Sequence, residues 1–145
     1  MKIGMMLKPK GLIQRAKEEY LYYTMRHWNL GDVGKFWDTV QNYDDINEKI
    51  YPYFRRFTNS FDLAEKYLPR HDYTLLDIQT RSGKGSLFWH EKKKIKSATC
   101  VDFSDFLISV AGKRLRESGL KHEVVKISNF PLPFKDRSFN FICAY

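Results

Sequence analysis

The sequence contains little cysteine: Cys100 and Cys143 lie far apart, each inside an apolar segment. Two residues placed in this way form neither a disulfide framework nor a zinc-ligand pattern, and we expect two buried free thiols. The four histidines have no spacing that singles one out as a partner for catalysis. The sequence therefore predicts no metal site.

Long apolar runs are also missing. No stretch approaches the roughly 18 residues that a membrane span needs. The first twelve residues carry three lysines and lack the apolar core of a signal peptide. We expect a cytoplasmic protein. A length of 145 residues leaves room for about one domain, and 43% hydrophobic and 29% charged residues are typical of a soluble globular chain.

The chain is basic, with a net charge of +8. A basic surface favours contact with nucleic acid or an anionic membrane. However, Lys and Arg are spread along the chain, and the aromatic residues are not interleaved with them in an RNA-binding motif. The dense run over residues 92–96 falls where a helix should end, where cations complement the helix dipole.

Residues 1–70 have a helical pattern and form one predicted region. We expect a helix over Lys10–Trp28, an exit turn at Gly31–Gly34 and a short helix over Lys35–Gln41. Within Asn42–Leu68 apolar residues recur at spacings of three and four, which indicates one buried helical face, with a break near Tyr51 caused by Pro52. That face contains Ile46, Ile50, Tyr53, Phe57, Phe61, Ala64 and Leu68.

Residues 71–145 form a second region, in which short strands alternate with helices. Ser104 is a good N-cap, and Gly119 can end the helix that Ser104 begins. Alternation of this kind predicts a parallel sheet with right-handed crossovers. The expected strands are Tyr73–Ile78, Ser97–Val101, Glu123–Ile127 and Ser138–Ala144, and the expected helices are Lys84–Lys92 and the segment after Ser104.

The loop between the first strand and its helix carries the first candidate site. Residues 75–85 join a strand to a helix, so their backbone N–H groups would lie beside a ligand at the carboxyl edge of the sheet. Gly83 and Gly85 permit close approach of the backbone. Without a ligand, the same segment is an ordinary strand-to-helix turn.

Asp102 ends the second strand and follows Gly83 by roughly 20 residues. A carboxylate there can accept hydrogen bonds from the two hydroxyls of a ribose, as in nucleotide-binding βαβ units. The plainer alternative is that Asp102 only caps the next helix. A third segment, residues 128–142, leads through Leu132, Pro133 and Phe134 into the fourth strand.

Together these segments resemble class I S-adenosylmethionine (SAM) dependent methyltransferases of the ubiquinone and menaquinone biosynthesis type. Asp77 and Gly83 match the family's first motif, in which Gln79 and Arg81 replace two glycines. Residues 101–107 resemble the second motif. Residues 128–139 resemble the third, with Ser128 at the position of an acidic residue. The resemblance covers residues 75–145, about four of the family's seven strands.

The resemblance implies an incomplete Rossmann-like α/β sheet of about four strands behind an N-terminal helical cap, with SAM as cofactor and a small molecule as methyl acceptor. We expect the Arg81 side chain to point to solvent. Tyr43 is expected either to lie near the cofactor or to face the core. The resemblance assigns no catalytic residue and no metal. The implied cofactor-binding residues are Asp77, Gln79, Thr80, Arg81, Gly83, Asp102, Phe103, Ser128 and Asn129.

An incomplete sheet of order 3-2-1-4 would leave its fourth strand as an apolar edge, which favours self-association. We therefore expect little methyltransferase activity from the 145-residue chain alone. Two other functions stay open. One is a degenerate, non-catalytic SAM- or nucleotide-binding module, favoured by Gln79, Arg81 and Ser128. The other, suggested only by the net charge, is RNA binding or RNA methylation.

Overall fold

The computed structural model describes Tyr20, residues 23–50 and residues 55–144. The predicted helix over Lys10–Trp28 and the predicted break near Tyr51 fall largely outside these residues. The helices are α1 (Leu30–Asp38), α2 (Tyr43–Ile50), α3 (Arg55–Ala64), a 3-10 turn (Glu65–Tyr67), α4 (Lys84–Glu91) and α5 (Asp105–Glu117). The strands are β1 (Tyr73–Ile78), β2 (Ile95–Asp102), β3 (Lys121–Lys126) and β4 (Phe141–Ala144).

The four strands form one parallel sheet in the order β3-β2-β1-β4. This confirms the predicted Rossmann-like α/β fold and its strand order. The two inner strands are almost continuously buried, as expected where helices or loops cover both faces of a parallel sheet. Asp77 lies opposite Cys100 on one side and Cys143 on the other, so these side chains form a row across three strands.

The core has two parts, one on each face of the sheet. On one face, Leu75 and Cys100 pack with Trp89 of α4 and Leu115 of α5, and Phe61 of α3 adds to this cluster. On the other face a smaller cluster is covered by the chain after β3. That smaller cluster contains Leu76, Val101, Phe103 and Ile127, with Phe134 and Phe139 packed against it.

The exit turn predicted at Gly31–Gly34 is wrong, because these glycines lie inside α1. Asn29 begins the helix with a reciprocal cap: its side chain accepts a bond from the Asp32 N–H, and its own N–H donates to the Asp32 carboxylate. Gly34 permits α1 to lie close to the backbone of Phe103, since a Cβ at position 34 would lie 2.4 Å from the Phe103 carbonyl oxygen. The helix predicted over Lys35–Gln41 thus begins earlier and ends at Asp38.

The helical face predicted within Asn42–Leu68 is confirmed in its second half. Phe57 is buried, and Phe61, Ala64 and Leu68 pack against the core. Ile46 is instead 37% exposed, so its assignment to the face is wrong.

Tyr43 and Asn47 of helix α2 lie one turn apart and are buried. The side-chain amide of the buried Asn47 donates a hydrogen bond to the Tyr43 backbone carbonyl at 2.8 Å. The side chains of Ile50 and Tyr53 lie outside the described residues.

The predicted caps of α5 are confirmed. The Ser104 hydroxyl accepts a bond from the Leu107 N–H, and Gly119 follows the helix with a φ of +74°. The proposed division into residues 1–70 and 71–145 stays a prediction. No helix in the described part of the chain is long and apolar enough to cross a membrane.

Candidate cofactor site

A cleft of about 200 Å³ opens where β1 and β2 end. Its polar side is formed by the loop after β1 and by Asp102. Its apolar walls come from the loop after β2, from α5 and from α1 of the helical cap. The lining residues are Val33, Trp37, Gln79, Arg81, Asp102, Phe103 and Leu107.

The loop after β1 holds two non-glycine residues in the left-handed backbone region. Gln79 has a φ of +57° and Arg81 a φ of +54°, at the two positions where the resembling motif has glycine. An L-residue in this region costs roughly 1–2 kcal/mol. The loop thus keeps the backbone shape of a glycine-rich turn while carrying two side chains into the cleft wall.

Asp102 orders this loop through backbone hydrogen bonds. One carboxylate oxygen accepts from the N–H groups of Phe103 at 2.8 Å and Ser104 at 3.1 Å, and the other accepts from the Arg81 N–H at 2.8 Å. An ionised carboxylate has about four acceptor positions, so about one is left for a hydroxyl in the cleft. Asp102 therefore caps the local backbone and also faces the cleft.

Asp77 does not line this cleft. Its buried carboxylate accepts bonds from the hydroxyls of Thr80 at 2.9 Å and Ser86 at 2.6 Å, and the Cys143 thiol lies 3.5 Å away. Burial raises the pKa of Asp77, although these hydrogen bonds act in the opposite direction. Asp77 and Thr80 thus stabilise the loop from its buried side and do not line the cleft.

The expectation of two free thiols is confirmed. Cys100 is fully buried and Cys143 is half-buried. Burial, reinforced by the neighbouring Asp77, raises the pKa of Cys100 to about 11. A raised pKa favours the protonated form of the Cys100 thiol at neutral pH, and the thiolate is the nucleophilic form.

Gly83 lies at the N-cap of α4 with a φ of +78°. A Cβ at this position would meet the Ala111 backbone and side chain of α5 at 3.1–3.2 Å. Gly83 therefore permits α4 to pack closely against α5, and its missing side chain does not face the cleft.

Ser128 and Asn129 are exposed and do not line the cleft, whereas Phe103 does. Their loop nevertheless begins beside the site, because the Ile127 N–H donates to the Asp102 carbonyl at 3.0 Å. The ring of Phe130 lies 6.3 Å from that of Phe103, measured between centroids. The structure thus places this segment at the rim of the cleft.

The Arg81 side chain does not point to solvent as expected. It is half-buried, and its guanidinium donates to the Tyr43 hydroxyl at 2.5 Å. It also lies 5.5 Å from the centroid of the Tyr43 ring. Tyr43 thus contacts the loop through Arg81 and does not itself line the cleft.

Two aspartates attach the cap to the sheet region, and sequence reasoning assigned them no role. Asp38 at the end of α1 accepts bonds from the Ser104 hydroxyl at 2.6 Å and the Phe106 N–H at 3.0 Å. Burial opposes ionisation, but these bonds outweigh it and lower the pKa of Asp38.

Asp44 accepts bonds from the Ser82 hydroxyl and from Arg114 of α5, both at 2.6 Å, and lies 3.8 Å from Lys84. Burial is again outweighed, so the pKa of Asp44 is also lowered. The signal for both aspartates is present in the sequence, since each follows an aromatic residue, in Trp37-Asp38 and Tyr43-Asp44.

Sequence reasoning also missed two cleft residues on α1, Val33 and Trp37. The Trp37 ring packs edge-to-face on Tyr43, with 5.7 Å between centroids. No local pattern marks these residues, because the wall they form depends on how α1 docks on the sheet. Among the residues that the structure describes, no three His, Cys, Asp or Glu side chains come together as metal ligands.

No family model matches the sequence, and no curated protein matches it. Solved structures do. YcgJ from Bacillus subtilis is 25% identical with a TM-score of 0.51, covering 60% of this chain and 37% of that one. The cyclase SpnF is 17% identical with a TM-score of 0.63, covering 79% and 48%. A SAM-dependent methyltransferase from Aquifex aeolicus is 21% identical with a TM-score of 0.50, covering 57% and 45%.

The chain has the α/β fold of class I SAM-dependent methyltransferases. It spans less than half the length of each of these three structures. The similarity to SpnF and to the Aquifex protein concerns the fold alone.

Proposed function

We propose that this chain is the cofactor-binding part of a SAM-dependent methyltransferase that acts on a small molecule. The observation that carries the proposal is the position of Asp102. It ends β2 inside a cleft, three backbone N–H groups orient its carboxylate, and about one acceptor position is left. Such an acceptor suits a ribose hydroxyl.

The cleft walls suit the rest of the cofactor. The adenine ring would lie beside Phe103, towards Ser128 and Asn129 at the rim, and the amino-acid end would lie along the loop containing Gln79 and Arg81. The cleft volume of about 200 Å³ is below the roughly 300–1,000 Å³ of common ligand pockets. Part of the ligand would therefore extend over the rim formed by residues 128–130.

The bound cofactor would supply an electrophilic methyl group, which is transferred by in-line displacement. The residues that line the cleft would bind and orient it, and orientation alone lowers the barrier of a two-substrate reaction substantially. Trp37 and Val33 of the cap would limit access of water from one side. No residue of the cleft is assigned as a general base, because that role depends on the acceptor.

A second function is a degenerate SAM- or nucleotide-binding module without catalysis. Gln79 and Arg81 at the glycine positions, together with the small cleft, favour it. A shared fold does not fix the reaction, and SpnF is itself described as a cyclase.

Calorimetric titration of the chain with SAM and S-adenosylhomocysteine, with ATP as a control, tests the proposal. We expect saturable binding of both adenosyl ligands and not of ATP. Transfer of a tritiated methyl group from SAM, tested against a low-molecular-weight extract and against RNA, then separates the candidates. No binding of either adenosyl ligand at millimolar concentration would refute the SAM-binding proposal, and saturable binding of ATP alone would favour a nucleotide-binding module. Because little transfer is expected from the 145-residue chain alone, only detectable transfer decides between the two functions, and it would exclude the non-catalytic module.

Self-association through β4 is part of the same proposal. The outer edge of β4 pairs with no other strand among the described residues, and Ile142 is 58% exposed. Unpaired apolar edges tend to pair with other chains. Sedimentation velocity over a range of concentrations should reveal dimers, and a monomer at every concentration would contradict this part of the proposal.

A further inference from the structure

Arg81 is the only cationic residue among those that line the cleft. Its backbone N–H faces Asp102, and its side chain runs in the direction of Tyr43. The polar side of the cleft thus carries one acidic residue, Asp102, and one cationic residue, Arg81. A ligand with hydroxyls and an anionic group would meet complementary groups at both points.

The guanidinium is held in place but is not neutralised. Its Nη1 donates to the Tyr43 hydroxyl, and the buried Tyr43 ring is itself fixed by Trp37. Arginine has five N–H donors. Among the described residues its side chain forms no salt bridge and has Tyr43 as its only hydrogen-bond acceptor. Donors therefore remain available to a ligand.

Two neighbouring cations, by contrast, are paired with carboxylates. Arg114 and Lys84 both contact Asp44, and Lys84 also pairs with Glu48. Arg81 and Arg56 are thus half-buried cations of this region without a carboxylate partner among the described residues, and of the two only Arg81 lines the cleft. A partly desolvated guanidinium binds a carboxylate strongly, often through two parallel hydrogen bonds.

We propose that Arg81 recognises the α-carboxylate of the cofactor's amino-acid end, and that the cleft thereby selects adenosyl ligands that carry this carboxylate. The inference rests on the proposed function, since it concerns the same ligand. Arg81 acts as a specificity residue: it replaces a glycine, and its side chain adds an anion-recognising group to the loop. Tyr43 positions the guanidinium.

Two ligands that differ only in the carboxylate test this inference: SAM and decarboxylated SAM. Calorimetry on the unmodified chain should show SAM binding at least about tenfold more tightly, the effect expected of a charged hydrogen bond. Arg81→Gln should remove that preference by weakening SAM about tenfold, while the affinity for decarboxylated SAM stays unchanged or rises. Arg81→Lys should keep part of the preference, because it retains the charge but not the planar fork.

Arg116→Gln, at an exposed position near the end of α5, is the matched control and should leave the ratio of the two affinities unchanged. Tyr43→Phe provides a second variant that keeps the ring and removes the hydroxyl, and it should reduce the preference partially. Equal affinity of the unmodified chain for the two ligands would overturn the inference, as would an equal loss of both in a folded Arg81→Gln variant. Failure to bind either ligand would instead count against the proposed function.

Discussion

The Asp44 carboxylate lies 2.6 Å from the guanidinium of Arg114, which joins α2 of the cap to α5 of the sheet region. Both side chains are only about a quarter exposed, so this pair is better shielded from solvent than an ordinary surface ion pair. Asp44 also accepts the Ser82 hydroxyl, and therefore connects the cap to the loop beside the cleft.

Asp44→Asn should destabilise the protein by about 1–3 kcal/mol, because it weakens charged hydrogen bonds and leaves Arg114 unpaired. Urea unfolding measures this change. Since the folded state lowers the pKa of Asp44, its contribution is present above the unfolded pKa near 3.8 and is lost as pH falls through the folded value. Asp44→Asn with Arg114→Gln should lose less than the sum of the two single changes; strict additivity would show that the two residues do not interact.

Asp102→Ala should weaken SAM binding by about 1–3 kcal/mol, because the ligand loses a charged acceptor. Asp102→Asn is the milder variant, since it keeps the shape and one carbonyl oxygen. Asp105→Asn, three residues later and exposed, serves as the control. Unchanged SAM affinity in a folded Asp102→Ala variant would remove the ribose assignment.

Asp77→Asn should change how stability depends on pH. Burial raises the pKa of Asp77, so the folded state binds more protons than the unfolded state between a pH of about 3.8 and the raised folded pKa. The unfolding free energy of the unmodified chain therefore carries a penalty that grows as pH rises through the folded pKa. The stability advantage of Asp77→Asn should increase with pH over this window, measured by urea titration with Asp62→Asn on α3 as the control. If the stability advantage of Asp77→Asn instead became smaller as pH rises, this would contradict a raised pKa of Asp77.

Gln79→Gly should be more stable than Gln79→Ala by about 1 kcal/mol, because only alanine retains the strain of a positive φ. Thermal unfolding compares the two variants. Lys93, exposed and with a φ of +55°, offers a matched pair of variants far from the cleft. Lys93→Gly and Lys93→Ala should differ by a similar amount, and neither should alter SAM affinity. A more stable alanine variant at position 79 would show that the loop lacks the left-handed backbone.

Gly34→Ala should destabilise the protein by about 1–3 kcal/mol, since the new Cβ would lie 2.4 Å from the Phe103 carbonyl oxygen. That carbonyl cannot yield easily, because the bonds of Asp102 to the N–H groups of Phe103 and Ser104 fix the peptide. Gly112→Ala in α5 is the contrasting case. Its Cβ would make an ordinary contact with Val124 at 3.4 Å, and helix propensity should stabilise it by up to roughly 1 kcal/mol.

Features set by neighbouring residues could be predicted well. Continuous apolar runs placed β1 and β2, and the cap at Ser104 and the glycine at 119 bounded α5. The strand order followed from the resemblance to class I methyltransferases, which implies the order 3-2-1-4 for the first four strands. The turn predicted at Gly31–Gly34 was wrong because the reciprocal cap of Asn29 and Asp32 outweighs the helix-breaking tendency of glycine.

Features that depend on distant parts of the chain could not be predicted. The Tyr43–Arg81 contact joins residues 38 positions apart, and no local pattern encodes it. Without that contact a long cation at a loop is expected to point to solvent. Ile46 fits the helical face by spacing, yet it is 37% exposed, since α2 turns Tyr43 and Asp44 towards Arg81 and Arg114.

The left-handed backbone conformation of Gln79 and Arg81 affects how proteins with this loop are recognised from sequence. Glycine in a pattern of letters stands for a backbone angle, and this loop reaches that angle with two other residues. Any residue that tolerates a positive φ, asparagine and aspartate foremost, could encode the same turn, whereas valine, isoleucine and threonine could not. A search pattern written in dihedral angles would accept this loop, while one written in glycines passes over it.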